Sequence, residues 1–227
     1  SELYATDIAK KNDRLTIGNL DLKPEKNNYF SLSAEYVHER FSVSVNAFYN
    51  NIRDMIDYNT IATGDKAMEQ YGHKEVRQRD NIAEAKVHGI NVSANAYLGA
   101  GFNLSGGYTH LNTQDVELEQ PIDKSIKNAY NINAQWAHSW KIYRLNINLN
   151  GRINSKRFSK SYGYAPEYQL WDLNTRHSFN LKSVIIEPGF GMENLFDYMD
   201  DRPYNSNYAT LTPGRSFYIS LSLKFKS

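Results

Sequence analysis

The residues of this 227-residue chain best suited to recognition chemistry are rings and cations gathered in polar stretches. Tyr71, His73 and Arg77 stand together with Lys74 and Arg79; Tyr162 and Tyr164 share a second stretch; Arg202, Tyr204 and Tyr208 share a third. Rings that stack and cations that pair suit a planar or anionic ligand, so these eight, Tyr71 to Tyr208, are the candidate ligand-binding residues. A solvated rim is the plain alternative for each taken singly. Other chemistries find less support. The six histidines, His38, His73, His88, His110, His138 and His177, show no metal-ligand spacing with one another, and there is no Cys, so no protein metal site is expected. Asp197, Asp200 and Asp201 lack the regular spacing of a calcium loop. No Ser/His/Asp set or paired carboxylates stand out, so neither an enzyme nor a cofactor is expected.

These stretches need a scaffold, and the rest of the chain reads as strands. In residues 214–225, Phe217, Ile219, Leu221, Leu223 and Phe225 alternate with Ser216, Tyr218, Ser220, Ser222 and Lys224. Strand side chains alternate with period two, so one face is apolar and the other polar. The same alternation sets Tyr130, Ile132, Ala134, Trp136, His138 and Trp140 against Asn131, Asn133 and Gln135. It then sets Tyr143, Leu145, Ile147 and Leu149 against Arg144, Asn146 and Asn148. Comparable runs lie near residues 30–36, 41–49, 90–98, 102–108, 171–181 and 186–192. About nine strands follow, with no helical period competing.

Two features separate a membrane barrel from a soluble sandwich. Both inner faces of a sandwich are apolar, whereas here the second face is Asn, Ser, Gln and Arg throughout. Connections also alternate between tight turns near 39, 100, 140 and 183 and long polar loops near 70, 120, 160 and 205, the asymmetry of outer-membrane barrels. The polar stretches 59–80, 113–127, 155–167 and 198–213 then share the outer side. A mean hydropathy of -0.64 is compatible with this, because half of each strand faces water. Seventeen Tyr, 10 Phe and 3 Trp supply interfacial rings. A net charge of +1 excludes the basic excess of a nucleic-acid binder. No apolar run is long enough for a membrane helix.

Two motifs carry a resemblance. Asn194-Leu195-Phe196-Asp197, a variable loop, then Pro213-Gly214-Arg215 and a strand ending in Phe225 resembles the C-terminus of TonB-dependent outer-membrane receptors. There the family ends on the aromatic itself, whereas Lys226 and Ser227 follow here. Gly18-Asn19-Leu20-Asp21-Leu22-Lys23-Pro24-Glu25 is similar to the family's Gly-Asn-Pro-Asp-Leu-Lys-Pro-Glu box, with Leu20 in place of the first Pro.

The resemblance implies an all-β, antiparallel transmembrane barrel of 22 strands around a plug, with this chain as about nine C-terminal strands. Residues 1–27 are read as an extracellular segment and 28–227 as the strands. The implied function is import of a scarce chelate (siderophore, haem or cobalamin) across the bacterial outer membrane, with ligand held by outer loops and plug. Some haem receptors of the family carry a His upstream of such a box, and residues 1–25 hold none. Implied partners are the remainder of the receptor, the TonB complex, membrane lipid and the small-molecule chelate, with no nucleic acid. Luminal Arg144, Arg152, Asp172, Arg176, Glu187 and Glu193 would face the plug. A barrel enzyme or an adhesin displaying loops is the alternative. With an open edge at either side of the sheet, these residues are not expected to fold by themselves.

Overall fold

The computed structural model describes residues 9–11, 13–200 and 213–226. Its elements in order are β1 (Ala9–Lys11), β2 (Arg14–Ile17), β3 (Lys26–Val37), β4 (Phe41–Thr63), α1 (Gly64–Tyr71), β5 (Glu75–Gly99), β6 (Phe102–Asp115), β7 (Asn128–Trp140), β8 (Tyr143–Asn154), β9 (Arg157–Ser159), β10 (Gly163–Ala165), β11 (Tyr168–Asn180), β12 (Val184–Glu193) and β13 (Ser216–Phe225). Nine of these strands are long, and each lies beside its predecessor in the sheet, from β3 to β8 and then β11 to β13. Among the described residues the sheet is open, since β3 pairs only with β4 and β13 only with β12. The chain divides into two compact units, residues 1–30, 49–87 and 113–121 in one and the remainder in the other.

The larger unit shows why the alternation works. Register places like with like across four strand pairs. Leu104, Ala134, Leu149 and Leu173 form one outward row through β6, β7, β8 and β11. Beside it, Asn133, Asn150 and Asp172 form an inward row. On β12 and β13, Ile186 faces Leu223, Pro188 faces Leu221 and Phe190 faces Ile219, while Glu187 faces Ser222. A slip of one residue would exchange every side chain between faces, so this agreement fixes the register.

The inward row satisfies itself. Asn133 Nδ2 donates to Asn148 Oδ1 at 2.7 Å and Asn150 Oδ1 at 2.6 Å. Tyr218 donates to Asn174, and Lys224 pairs with Glu187 at 2.7 Å. The outward row has no such partners. Leu98 is 65% exposed and Leu221 66%, so the medium that covers this face must be apolar.

Aromatic groups bound that face near the tight turns. Trp136 lies 5.8 Å from Phe102, His138 4.3 Å from Trp140, and Trp140 5.5 Å from Tyr143. Tyr143 contacts His177, which meets Phe190 edge-on. Trp136 Nε1 donates to the Ala100 carbonyl at 3.1 Å, giving the ring a polar anchor. At the other end Tyr108 and Tyr130 stack at 4.7 Å. From Tyr130 to Trp140 is about 34 Å of strand at ~3.4 Å per residue, or about 24 Å of height at a 45° tilt. That matches the ~25 Å apolar band between the aromatic girdles of a membrane barrel.

The smaller unit corrects one expectation. Residues 60–80, expected from their lack of alternation to be a loop, continue β4 to Thr63, form α1 and begin β5. The helix stops at Gly72, whose φ of 70° and N–H to the Met68 carbonyl make a left-handed cap. Ala67 packs with Leu15 and Val76, the buried cluster that closes the helix onto the strands, with Tyr71 against it. Strand β2 pairs with β5 in parallel, a link that alternation alone does not reveal.

Candidate functional site

The candidate residues fall into both units, and each group is described by itself. In the smaller unit, Tyr71 ends α1 and packs partly buried against the Leu15–Ala67–Val76 cluster. His73 follows the Gly72 cap and is half-buried. Arg77 donates its Nε to Glu75, whose other oxygen accepts Arg14 Nε at 2.8 Å. Two of the three residues therefore already serve structure. Arg79, which stands beside them in the sequence, lies 5.6 Å over the Tyr58 ring with its Nη2 3.4 Å from the phenol oxygen, a pairing that sequence reading did not join. The partners are 21 residues apart, and only strand pairing brings them together.

Glu75 sits 24 residues from the tight turn at Gly99, more than twice the roughly 9–11 residues that a strand needs to cross a bilayer. The Arg14 guanidinium, with Arg77 second, holds its carboxyl below the ordinary 4.5. A depressed folded value means that the ion pairs contribute fully above about pH 4.5 and are lost as pH falls through the lower, folded value. A nitroxide on Thr16, in the paired strand β2, should therefore gain mobility as the pH drops below 4.5. In Glu75→Gln it should be mobile at every pH. Equal mobility of the two proteins at neutral pH would exclude the ion pairs as the clamp.

The box at residues 18–25 is a staple over these strands. Asn19 Oδ1 accepts the Asp21 N–H, and Leu22 is buried. Asn81 holds both backbone groups of Lys23, accepting its N–H at 2.7 Å and donating to its carbonyl at 2.9 Å. Glu25 accepts the Ile56 N–H, and Lys26 pairs with Asp54.

In the larger unit, Tyr164 lies in the β9–β10 hairpin with its ring edge-on to Phe158 at 5.3 Å, and Tyr162 lies in the turn; both are more than half exposed. Arg202, Tyr204 and Tyr208 lie outside the described residues. The motif before them is a clamp. Asn194, left-handed at φ 52° and 6% exposed, donates its N–H to Asp172 and its side-chain amide to the Tyr198 and Pro213 carbonyls. Asp197 accepts the Arg215 N–H at 2.7 Å. Both ends of the excursion 198–213 are thus tied together. Inward, Arg144, Arg176 and Glu187 line a luminal depression of about 520 Å³ with Asn148 and Asn174. Asp172, Glu187 and Glu193 have partners on this wall, Glu193 accepting the Ser216 hydroxyl.

A lipid-facing apolar wall, a polar inward wall, tight turns at one end and clamped excursions at the other define an outer-membrane barrel wall. The family described as TonB dependent receptor-like, beta-barrel, matches residues 1–195, and the chain belongs to it. PiuA of Acinetobacter baumannii, whose name is Probable TonB-dependent siderophore receptor, is similar at 28% identity over 64% of this chain and 21% of its own length. Among solved structures, the siderophore receptor PirA of A. baumannii shares the fold at a TM-score of 0.69 and 18% identity, over 93% of this chain and 33% of PirA. The ferric enterobactin receptor PfeA of Pseudomonas aeruginosa, solved with enterobactin, gives 0.66 and 21% over 93% and 33%. The chain spans about a fifth of the curated relative and a third of these structures.

Proposed function

We propose that this chain is C-terminal wall of a 22-stranded, plugged transporter in the bacterial outer membrane that imports an iron–siderophore complex with energy delivered through TonB. The observation that carries the reading is the two-faced wall itself: an outward face for lipid and an inward face of amides, hydroxyls and charges for an aqueous, plugged interior. The likeness to PiuA supports a siderophore over haem or cobalamin. Residues 1–27 are proposed to lie outside the barrel, and the luminal Arg144 and Arg176 to face the plug.

The ligand contacts are proposed at Tyr71, His73, Arg77, Tyr162, Tyr164, Arg202, Tyr204 and Tyr208. His73, Tyr162 and Tyr164 test this most cleanly, because none of them builds the Leu15 cluster or holds Glu75. Each replacement by Ala should weaken binding of the ferric siderophore by roughly fivefold, the loss of one ring contact worth about 1 kcal/mol. The barrel should remain folded. Cells lacking the receptor should lose TonB-dependent uptake of that ferric siderophore and keep uptake of cobalamin and haem. Normal siderophore uptake with loss of cobalamin or haem would overturn the substrate class.

A further inference from the structure

Apart from the luminal depression, one cavity combines hydrogen-bonding groups with ring faces where the strands run into the polar stretches. It has about 520 Å³, within the range of small-molecule sites, and lies in the larger unit at the outer ends of β7, β8 and β11. Asn128, Tyr130, Ser155, Glu167, Gln169 and Tyr198 supply its chemistry. Asn128, Tyr130, Ile153 and Gln169 line it from outward-facing positions, and the inward-facing Asn154 and Tyr168 border it at the strand ends. Most of its lining on the strands therefore lies on the outward side. Directly below it on that face run Ile132 and Ala134, the start of the apolar band.

Its polar groups are already aimed. Asn128 Oδ1 accepts the Tyr108 hydroxyl at 2.9 Å and lies 2.8 Å from His110 Nδ1. Gln169 Oε1 accepts Trp171 Nε1 at 3.0 Å. Both amides have their oxygens occupied, and their NH₂ groups have no partner among the described residues. The Ser155 hydroxyl accepts the Asn128 N–H and keeps its own proton to donate. Glu167 adds a carboxylate acceptor. Tyr130 stacks on Tyr108, and Tyr198 stacks on Tyr168 at 5.8 Å, which gives two ring platforms.

Donors and acceptors interleaved between ring faces complement a group whose hydroxyls each give and take a hydrogen bond and whose C–H face is apolar. Among the described residues no Lys or Arg lines the cavity, which favours a neutral group over a phosphate. We propose that this cavity binds the neutral sugar headgroup of a membrane glycolipid, whose acyl chains lie along the outward face below Tyr130. A soluble sugar would gain nothing from the apolar wall, and a lipid without a sugar would leave the two amides unmatched.

The test uses the full receptor in nanodiscs of phosphatidylethanolamine doped with monoglucosyldiacylglycerol, with bound lipid read by native mass spectrometry. Wild type should retain the glucolipid in preference to phosphatidylethanolamine. Asn128→Asp with Gln169→Glu keeps the acceptors for Tyr108 and Trp171 while removing both NH₂ donors, so the strands stay paired. Glucolipid retention should then fall roughly tenfold and phosphatidylethanolamine retention should not change. The single variant Gln169→Glu, read at an unchanged melting temperature, should give an intermediate loss. Equal retention of both lipids by wild type, or unchanged glucolipid retention in the double variant, would overturn the site. So would binding of free methyl glucoside as tight as that of the glucolipid, which would assign the cavity to a soluble sugar.

Discussion

Arg in place of Ala134 should destabilise the barrel by roughly 2–4 kcal/mol, the cost of a lipid-facing cation near the bilayer midplane. Ala134 pairs with Leu104 on one side and Leu149 on the other, in the outward row midway between Tyr130 and Trp140. The guanidinium would have to reach about half the band height to find water, too far for full snorkelling. The control sits one residue away. Gln135 points inward, beside Asn148 and against the luminal depression, so Gln135→Arg should cost well under about 1 kcal/mol. Urea unfolding in lipid vesicles measures both. Equal losses at 134 and 135 would mean that the wall does not have one wet and one lipid face.

Gly101→Ala should be comparably damaging for a different reason. The tight turn between β5 and β6 runs through three left-handed residues, Gly99 at φ 89°, Ala100 at 50° and Gly101 at 86°. A Cβ on Gly101 would lie 1.9 Å from the Ala137 carbonyl oxygen, a backbone atom that no rotamer change can move. The Gly101 carbonyl accepts the Ala137 N–H at 3.0 Å, so relieving the clash loosens the join of β6 to β7. Left-handed strain of about 1–2 kcal/mol and a clash of about 1–3 kcal/mol together give on the order of 3 kcal/mol. Gly163→Ala, at φ 80° with open space around its Cβ, isolates the strain alone and should cost only about 1–2 kcal/mol. If the two substitutions cost the same, Gly101 is not pressed against β7.

The wall was legible in the sequence because strand alternation is a local code. Each of the nine strands writes its own two faces, so Ala134, Leu149 and Leu173 fall on the apolar face of their strands without any knowledge of pairing, and the register then sets them in one row. The tight turns were equally readable from Gly99-Ala100-Gly101. What failed to show was built from distant partners or short signals. Helix α1 is eight residues long, below the window in which period 3.6 separates from noise, although Asp65 in its first turn and the Gly72 cap were visible. The parallel pairing of β2 with β5 joins residues about 60 apart. The Asn194 motif could be matched as a string, but its work as a clamp on Tyr198, Pro213 and Asp172 needs three dimensions. Tyr71 and Arg77 looked like free loop groups, yet a packed helix and Glu75 engage them.

The measurement that bears most directly on the account is nitroxide accessibility along β7 of the receptor in lipid bilayers. Labels walked from Tyr130 to Trp136 should collide alternately with membrane-dissolved oxygen and with a water-soluble nickel chelate. Ile132, Ala134 and Trp136 should favour oxygen, and Asn131, Asn133 and Gln135 the chelate, with a period of two residues. Asn133 reporting lipid while Ala134 reports water would reverse the wall and contradict the account; equal chelate access at all seven positions would remove the membrane from it.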